Sequence, residues 1–187
     1  MRIIRGKYGG RIFKPPKKLN ARPTTDFAKE NLFNILENRF DFEDITALDL
    51  FSGTGNIGFE LVSRGCKQVT AIEKNRGNIQ FINQIANQLG IQNLTVIKND
   101  VFKFIASTNL QYDLIFADPP YHMEGIEKLP ELIAKYNLLK EGGYFILEHS
   151  KETNIPENQR FIEQRKYGHV NFSFFFFWQT DYLSALH

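Results

Sequence analysis

The chain reads as an α/β protein built on a doubly wound, mostly parallel sheet. Three observations predict this. From Ile45 onward, short apolar segments alternate with segments of helical period, and a Gly-rich turn follows the first of them. The final two apolar segments lie too close together in the chain to pair in parallel, so they form an antiparallel end to the sheet. Strands joined by crossovers are covered on both faces, which is why they read as continuous rather than alternating apolar runs. At 187 residues, 42% of them apolar, the chain suffices for one domain with a sizeable core.

The elements follow in order. Residues 2–7 and 10–14 predict a short hairpin around Tyr8-Gly9-Gly10, closed by Pro15-Pro16. In Ala21-Arg22-Pro23-Thr24-Thr25-Asp26 the Thr and Asp residues suit a helix N-terminus, and Ala28, Leu32, Ile35 and Leu36 then share one helical face. Residues 46–51 form a first strand, and the helix after it stops at Gly65. A second strand spans 69–73. The next helix sets Ile79, Ile82, Ala86 and Leu89 on one side and stops at Gly90. Strands at 94–98 and 112–117 follow, then a helix with Ile126, Leu129, Ile133 and Tyr136 on one face. Gly142-Gly143 turns the chain into a fifth strand at 144–148. Residues 160–167 and 170–178 complete seven strands, and the phenylalanines of the last, with Trp178, read as buried core rather than a platform for stacking bases.

Charge is unevenly distributed. The net charge is +2, yet residues 1–22 carry eight Lys or Arg and no acid, leaving 15 basic against 21 acidic groups in the remainder. A basic arm on an acidic body suits a polyanion, whose counterions are released on binding. The N-terminus lacks the apolar segment of a secretory signal, and no run is long enough to span a membrane. With Cys66 the only cysteine, no disulfide forms within the chain, and a cytoplasmic location is expected. The four His residues are scattered, so no metal site is expected.

Asp49-Leu50-Phe51-Ser52-Gly53-Thr54-Gly55-Asn56-Ile57-Gly58 joins the first strand to its helix. Gly53, Gly55 and Gly58 satisfy G-x-G-x-x-G, which brings a ligand close to backbone and helix N-terminus. Glu73, 18 residues beyond Gly55, is placed to accept from ribose hydroxyls, and Asp100 from an adenine amino group. Either acid alone would serve equally to cap the following helix. Asp49 would repel a pyrophosphate but not a sulfonium with an ammonium group, which favours S-adenosylmethionine over a dinucleotide. The cofactor candidates are Asp49, Ser52, Gly53, Thr54, Gly55, Gly58, Glu73, Asp100, Val101 and Asp118.

The fourth strand ends in Asp118-Pro119-Pro120-Tyr121, the most specific signal in the chain. The amino group of a nucleobase is a poor nucleophile because its lone pair is delocalised into the ring. Acceptors for its two hydrogens let the nitrogen pyramidalise, and the Asp118 carboxylate and Pro119 carbonyl supply them. Pro119 and Pro120 stiffen the loop, and Tyr121 stacks on an extruded base.

These residues resemble the RsmD-type methyltransferases of small-subunit (16S) ribosomal RNA, which act on guanine N2. The resemblance runs through the basic start from Met1 to Arg11, Arg22-Pro23-Thr24-Thr25-Asp26, Asn31-Leu32-Phe33-Asn34, Asp49 to Gly58, Asp118 to Tyr121, and Lys166-Tyr167-Gly168. It implies a Rossmann-like class I S-adenosylmethionine-dependent fold of seven strands with the last antiparallel. Residues 1–20 would be a basic hairpin extension and 21–187 a single methyltransferase domain. It also implies that Arg22 and Thr24 lie beside the active site, with Arg2, Arg5, Lys7, Arg11 and Tyr121 as further RNA contacts. The expected partner is ribosomal RNA or a 30S assembly particle, met by a monomer. The chain departs from the family in its Phe-rich last strand and in His169-Val170, where a small polar residue is expected. Three other functions share parts of the pattern: an adenine-N6 DNA methyltransferase, a nicotinamide-dependent oxidoreductase, and a non-catalytic RNA-binding module.

Overall fold

A computed structural model describes residues 1–16, 24–120, 123–153, 155, 158 and 160–178. Helix α1 (Asp26–Glu37) opens on Thr25, whose hydroxyl accepts from Ala28 N at 3.2 Å. Then come β1 (Thr46–Leu50), α2 (Asn56–Ser63), β2 (Gln68–Glu73), α3 (Arg76–Leu89), β3 (Leu94–Lys98), α4 (Val101–Ser107), β4 (Tyr112–Ala117), α5 (Leu129–Lys135), β5 (Leu139–Ser150), β6 (Phe161–Tyr167) and β7 (Val170–Phe177). The sheet runs β3-β2-β1-β4-β5-β7-β6. Strand β7 alone runs opposite to the other six, as the short link before it predicts.

The strand order reverses between β1 and β4. The chain winds outward through β2 and β3, then returns to the other side of β1, and such a switch point opens a crevice at the carboxyl ends of its two strands. Asp49 and Asp118 both stand at that crevice.

Two apolar clusters cover the two sheet faces. The first holds Ile3, Leu32, Phe33, Phe59 and Phe172; the second holds Leu48, Ile115, Leu129, Ile133 and Phe145. Strand β7 feeds both, with Phe172 and Phe174 on one side and Phe175 and Phe177 on the other, all buried. The phenylalanine run is thus core, and only Phe176 and Trp178 stay half-buried.

One sequence expectation holds and two need correction. The N-terminal hairpin is present: Ile3 N donates to Arg11 O at 3.0 Å, Gly10 N to Ile3 O at 2.8 Å and Phe13 N to Met1 O at 2.9 Å, around the Arg2–Ile12 bridge. Its outward donors tie it to α2: Ile4 N and Arg5 N donate to the Glu60 carboxylate at 2.7 and 3.1 Å, and Lys7 N donates to Ser63 O at 2.7 Å. Gly6 lies so close to α2 that a Cβ would fall 1.9 Å from Ser63 O. Gly142-Gly143 does not start β5 but sits inside it, where the register with β4 slips, and Gly142 takes φ +77° to make the bulge. Tyr136, placed on the buried face of its helix by periodicity, lies one residue past the end of α5 and is exposed.

Candidate active site

The β1–α2 turn is held from beneath. Ser52, buried, donates from its hydroxyl to Asp49 O at 2.9 Å and to Ile72 O at 3.0 Å, tying the turn to β2. Thr54 is buried beside it. Phe51 adopts φ +62°, a left-handed conformation that costs a non-glycine residue and that only a fixed surrounding sustains. At Gly55 a Cβ would meet the Phe59 ring at 2.9 Å, so this glycine serves packing. At Gly53 the space a Cβ would fill is open, the nearest atom being Phe51 O at 4.0 Å. A ligand therefore reaches the backbone at Gly53. Gly58 N donates to Asp49 Oδ2 at 3.1 Å, and a side chain there would press on that oxygen at 3.3 Å.

The acids divide by what they touch. Glu73 accepts from Gly53 N at 2.8 Å and from Asn75 N at 2.6 Å, so it clamps the turn, while Asn75 caps α3. Each of its oxygens keeps a lone pair for a ribose hydroxyl. Asp100 caps α4 through Oδ1, accepting from Phe102 N at 3.1 Å and Lys103 N at 3.3 Å, and Val101 is buried as the first residue of that helix. Capping leaves Asp100 Oδ2 outside those bonds.

Three further carboxylates crowd the carboxyl ends of β1, β4 and β5. Asp49 is 2% exposed, and burial, with the nearby Glu73 charge, pushes its pKa up to about 8 against the Gly58 hydrogen bond. Asp118 is raised well above the ordinary range by burial first, then by Glu148 and Asp49. Glu148, also 2% exposed, is pushed up to about 7 by burial, while a hydrogen bond from the Thr24 hydroxyl at 2.7 Å pulls the other way. None of the three pairs with Lys, Arg or His among the described residues. Nor, among those residues, do three or more acids, His or Cys stand close enough together to hold a metal ion. Buried carboxylates without a counter-charge suit an organic cation, and a sulfonium with an α-ammonium group fits.

Pro119 is buried and Pro120 exposed. The Pro120 carbonyl accepts from Met123 N at 2.9 Å, whereas no hydrogen bond reaches the Pro119 carbonyl among the described residues, leaving it as an acceptor. Tyr121 and Arg22, both expected here, lie outside the described residues. Thr24 is buried, with its hydroxyl donating to Glu148 Oε2. The lone thiol is no nucleophile: Cys66 is buried, and burial pushes its pKa up to about 12.

A second buried charged group lies next to this one, between α1 and α2. Lys29 Nζ pairs with Glu60 Oε2 at 3.4 Å, donates to Asn56 Oδ1 at 2.9 Å and also donates to Arg2 O. Asn56 Nδ2 donates in turn to Thr24 O at 3.4 Å. A polar chain thus runs from the N-terminal loop to Glu148. Arg2, Arg5, Lys7 and Arg11 are exposed on that loop. Arg5 reaches Glu30 at 3.3 Å and Arg2 reaches Asp26 at 3.9 Å, while Lys7 and Arg11 lie over the Tyr8 ring. No helix among the described residues is long and apolar enough to cross a membrane.

Sequence reasoning missed Glu148, Asn56, Lys29 and Glu60. Glu148 carried one usable signal, an acid directly after an apolar strand run, as Asp118 is after β4.

Comparison with known proteins matches residues 1–176 to the family described as conserved hypothetical protein 95. Among relatives, ribosomal RNA small subunit methyltransferase D of Buchnera aphidicola subspecies Baizongia pistaciae is 32% identical over 169 residues, covering 89% of this chain and 86% of that one. The protein of the same name from Escherichia coli K12 is 30% identical over 156 residues, covering 83% and 78%. Among solved structures, the Escherichia coli protein yhhF superposes with a TM-score of 0.84 at 28% identity, covering 96% of this chain and 99% of that one. The Thermus thermophilus 16S rRNA N2 G1207 methyltransferase, solved with AdoMet and guanosine, shares the fold at TM-score 0.67 and 20% identity, covering 84% and 44%.

Proposed function

The chain belongs to the conserved hypothetical protein 95 family, that of ribosomal RNA small subunit methyltransferase D, and on that footing we propose that it methylates the exocyclic N2 of a guanine in 16S ribosomal RNA. The observation that carries the reading is the set of carboxylates Asp49, Asp118 and Glu148, which have no cationic partner among the described residues, next to the Pro119 carbonyl, which accepts no hydrogen bond among those residues. When bound, S-adenosylmethionine supplies an electrophilic methyl group on a cationic sulfur.

Gly53 admits the cofactor to the backbone, and Asp49 presents a negative charge to its cationic end. Glu73 and the outer oxygen of Asp100 are the acceptors for ribose and adenine groups. Asp118 Oδ and Pro119 O accept the two hydrogens of the target amino group, concentrating its lone pair on nitrogen. That nitrogen must shed a proton as its new bond forms. Asp118, with a pKa held well above the ordinary carboxylate range, is suited to take it. The proline pair fixes both acceptors before substrate arrives, so little reorganisation is left for the reaction itself.

Within the same reading, residues 1–20 are a basic extension of a single domain, and Arg2, Arg5, Lys7 and Arg11 meet phosphates. Arg22 and Tyr121 serve the base pocket. The protein acts as a monomer in the cytoplasm. Incubating it with labelled S-adenosylmethionine and 30S particles from unmethylated cells, then digesting the RNA to nucleosides, tests the proposal. Label in N2-methylguanosine is expected; label in N6-methyladenosine, or none in guanine, overturns it.

A further inference from the structure

Glu148 belongs to no sequence motif and has no part in the transfer step described above. It is nonetheless 2% exposed, charged when ionised, and fixed by a bond from a residue 124 positions away. Parallel pairing sets Ala117 opposite Leu147, so Asp118, just past the end of β4, comes beside Glu148, near the carboxyl end of β5. Neighbouring strands lie about 4.8 Å apart, near enough for side chains from both to converge on one base edge. The Thr24 hydroxyl occupies Glu148 Oε2, and Oε1 accepts no hydrogen bond among the described residues.

Purines differ at the position next to their amino group. Guanine carries N1–H beside N2–H₂, two donors in a row, whereas adenine carries N6–H₂ beside an N1 lone pair. Two acceptors side by side fit the first arrangement and repel the second. We propose that Glu148 is a specificity-determining residue: its Oε1 accepts the N1–H of the extruded guanine while Asp118 and Pro119 take N2–H₂, with Thr24 as the positioning residue that aims it. This rests on the guanine reading above and extends it to the atom that excludes adenine. A site built to bond a substrate hydrogen rejects an analogue lacking it because its own buried group is then left unpaired.

The test compares wild type, Glu148→Gln and Thr24→Val on 30S particles from unmethylated cells, with products identified as nucleosides. Affinity for S-adenosylhomocysteine is measured alongside. Glu148→Gln is expected to lower kcat/KM for guanine by about 10- to 100-fold while S-adenosylhomocysteine affinity changes less than about threefold. Guanosine should inhibit the wild type better than 2-aminopurine riboside, which keeps the amino group but has a lone pair at N1. Glu148→Gln should erase that preference, since an amide can donate to the lone pair. Thr24→Val should lose a smaller factor in the same direction and keeps the test open should Glu148→Gln not fold. Guanine methylation at the wild-type rate in Glu148→Gln, or a loss tracking cofactor affinity, would overturn the inference and leave the guanine assignment standing. Wild-type label on adenine would overturn the assignment, and the inference with it.

Discussion

Two groups of buried charge lie within one polar chain of each other, and they are built on opposite principles. Around Glu60 every oxygen is answered: Lys29 and Arg64 supply charge, and Ile4 N and Arg5 N supply backbone donors. Around Asp118 the neighbours are Asp49 and Glu148, which add charge of the same sign. The first group is finished without a ligand and joins the N-terminal loop, α1 and α2. The second has no cationic partner among the described residues. A buried charge with its partners is architecture, and a cluster of like charges is suited to a cationic ligand.

The contrast can be broken from either side. Lys29→Met should leave Glu60 with one fewer counter-charge in the interior and destabilise the fold by about 3–5 kcal/mol. Thermal unfolding should show this as a lowered Tm, partly restored by adding Glu60→Leu, whereas an unchanged Tm would mean the pair is not structural. At the other group, Asp118→Asn should reduce kcat by about 10²- to 10³-fold, or ~3–4 kcal/mol, with RNA affinity nearly unchanged. In that variant the ligand-free Tm should stay level or rise, because a repulsion has been removed.

Acidity sharpens the comparison further. Folding raises Asp49 from 3.8 to about 8 and Glu148 from 4.5 to about 7. Each folded carboxyl therefore holds its proton to higher pH than the unfolded one. The stability this contributes is fully present below the unfolded values and is lost as pH rises through the folded ones. Ligand-free Tm should fall between about pH 5 and 8 on account of these groups, while S-adenosylmethionine, which needs them ionised, should bind more tightly toward pH 8. Differential scanning calorimetry with and without ligand reads both trends. At saturation near 100-fold above Kd, S-adenosylhomocysteine should add about 2.7 kcal/mol and NAD nothing.

The smallest effect on stability is expected at the exposed loop. Arg5 and its partners Glu30 and Glu37 are all substantially exposed, so replacing Arg5, Lys7 and Arg11 together by Ala should change stability by less than about 1 kcal/mol. RNA binding should weaken across sequences, and its salt dependence should lose about one unit of slope for each phosphate contact removed. A change in base preference instead would move these residues from phosphate contact to recognition.

Much of this was legible in the sequence because local rules decided it. Strands β1 to β4 and the caps at Thr25 and Gly90 follow from period and turn chemistry, and Asp49 and Asp118 stand where a motif says they should. Glu148 was not legible, since its meaning depends on β5 lying against β4 and on Thr24 arriving from another part of the chain. Lys29 sits on the buried face of α1 beside Ala28, where no periodicity rule expects a charge, and only Glu60 explains it. The N-terminal hairpin was legible from its Tyr8-Gly9-Gly10 turn, whereas the bonds that tie it to α2 depend on the packing of distant segments.

The position of β7 bears on how the protein is made. Of the seven strands it emerges last from the ribosome, yet it sits between β5 and β6. Until it arrives, the flank of β5 that carries Phe145, Ile146 and Leu147 stays open, and β6 has nothing to pair with. A reading-frame error shortly before Val170 would therefore release a chain that keeps Asp49, Asp118 and Glu148 but whose sheet has a long apolar rim, a template for self-association. For cells that make it, such a slip yields insoluble debris instead of a sluggish enzyme.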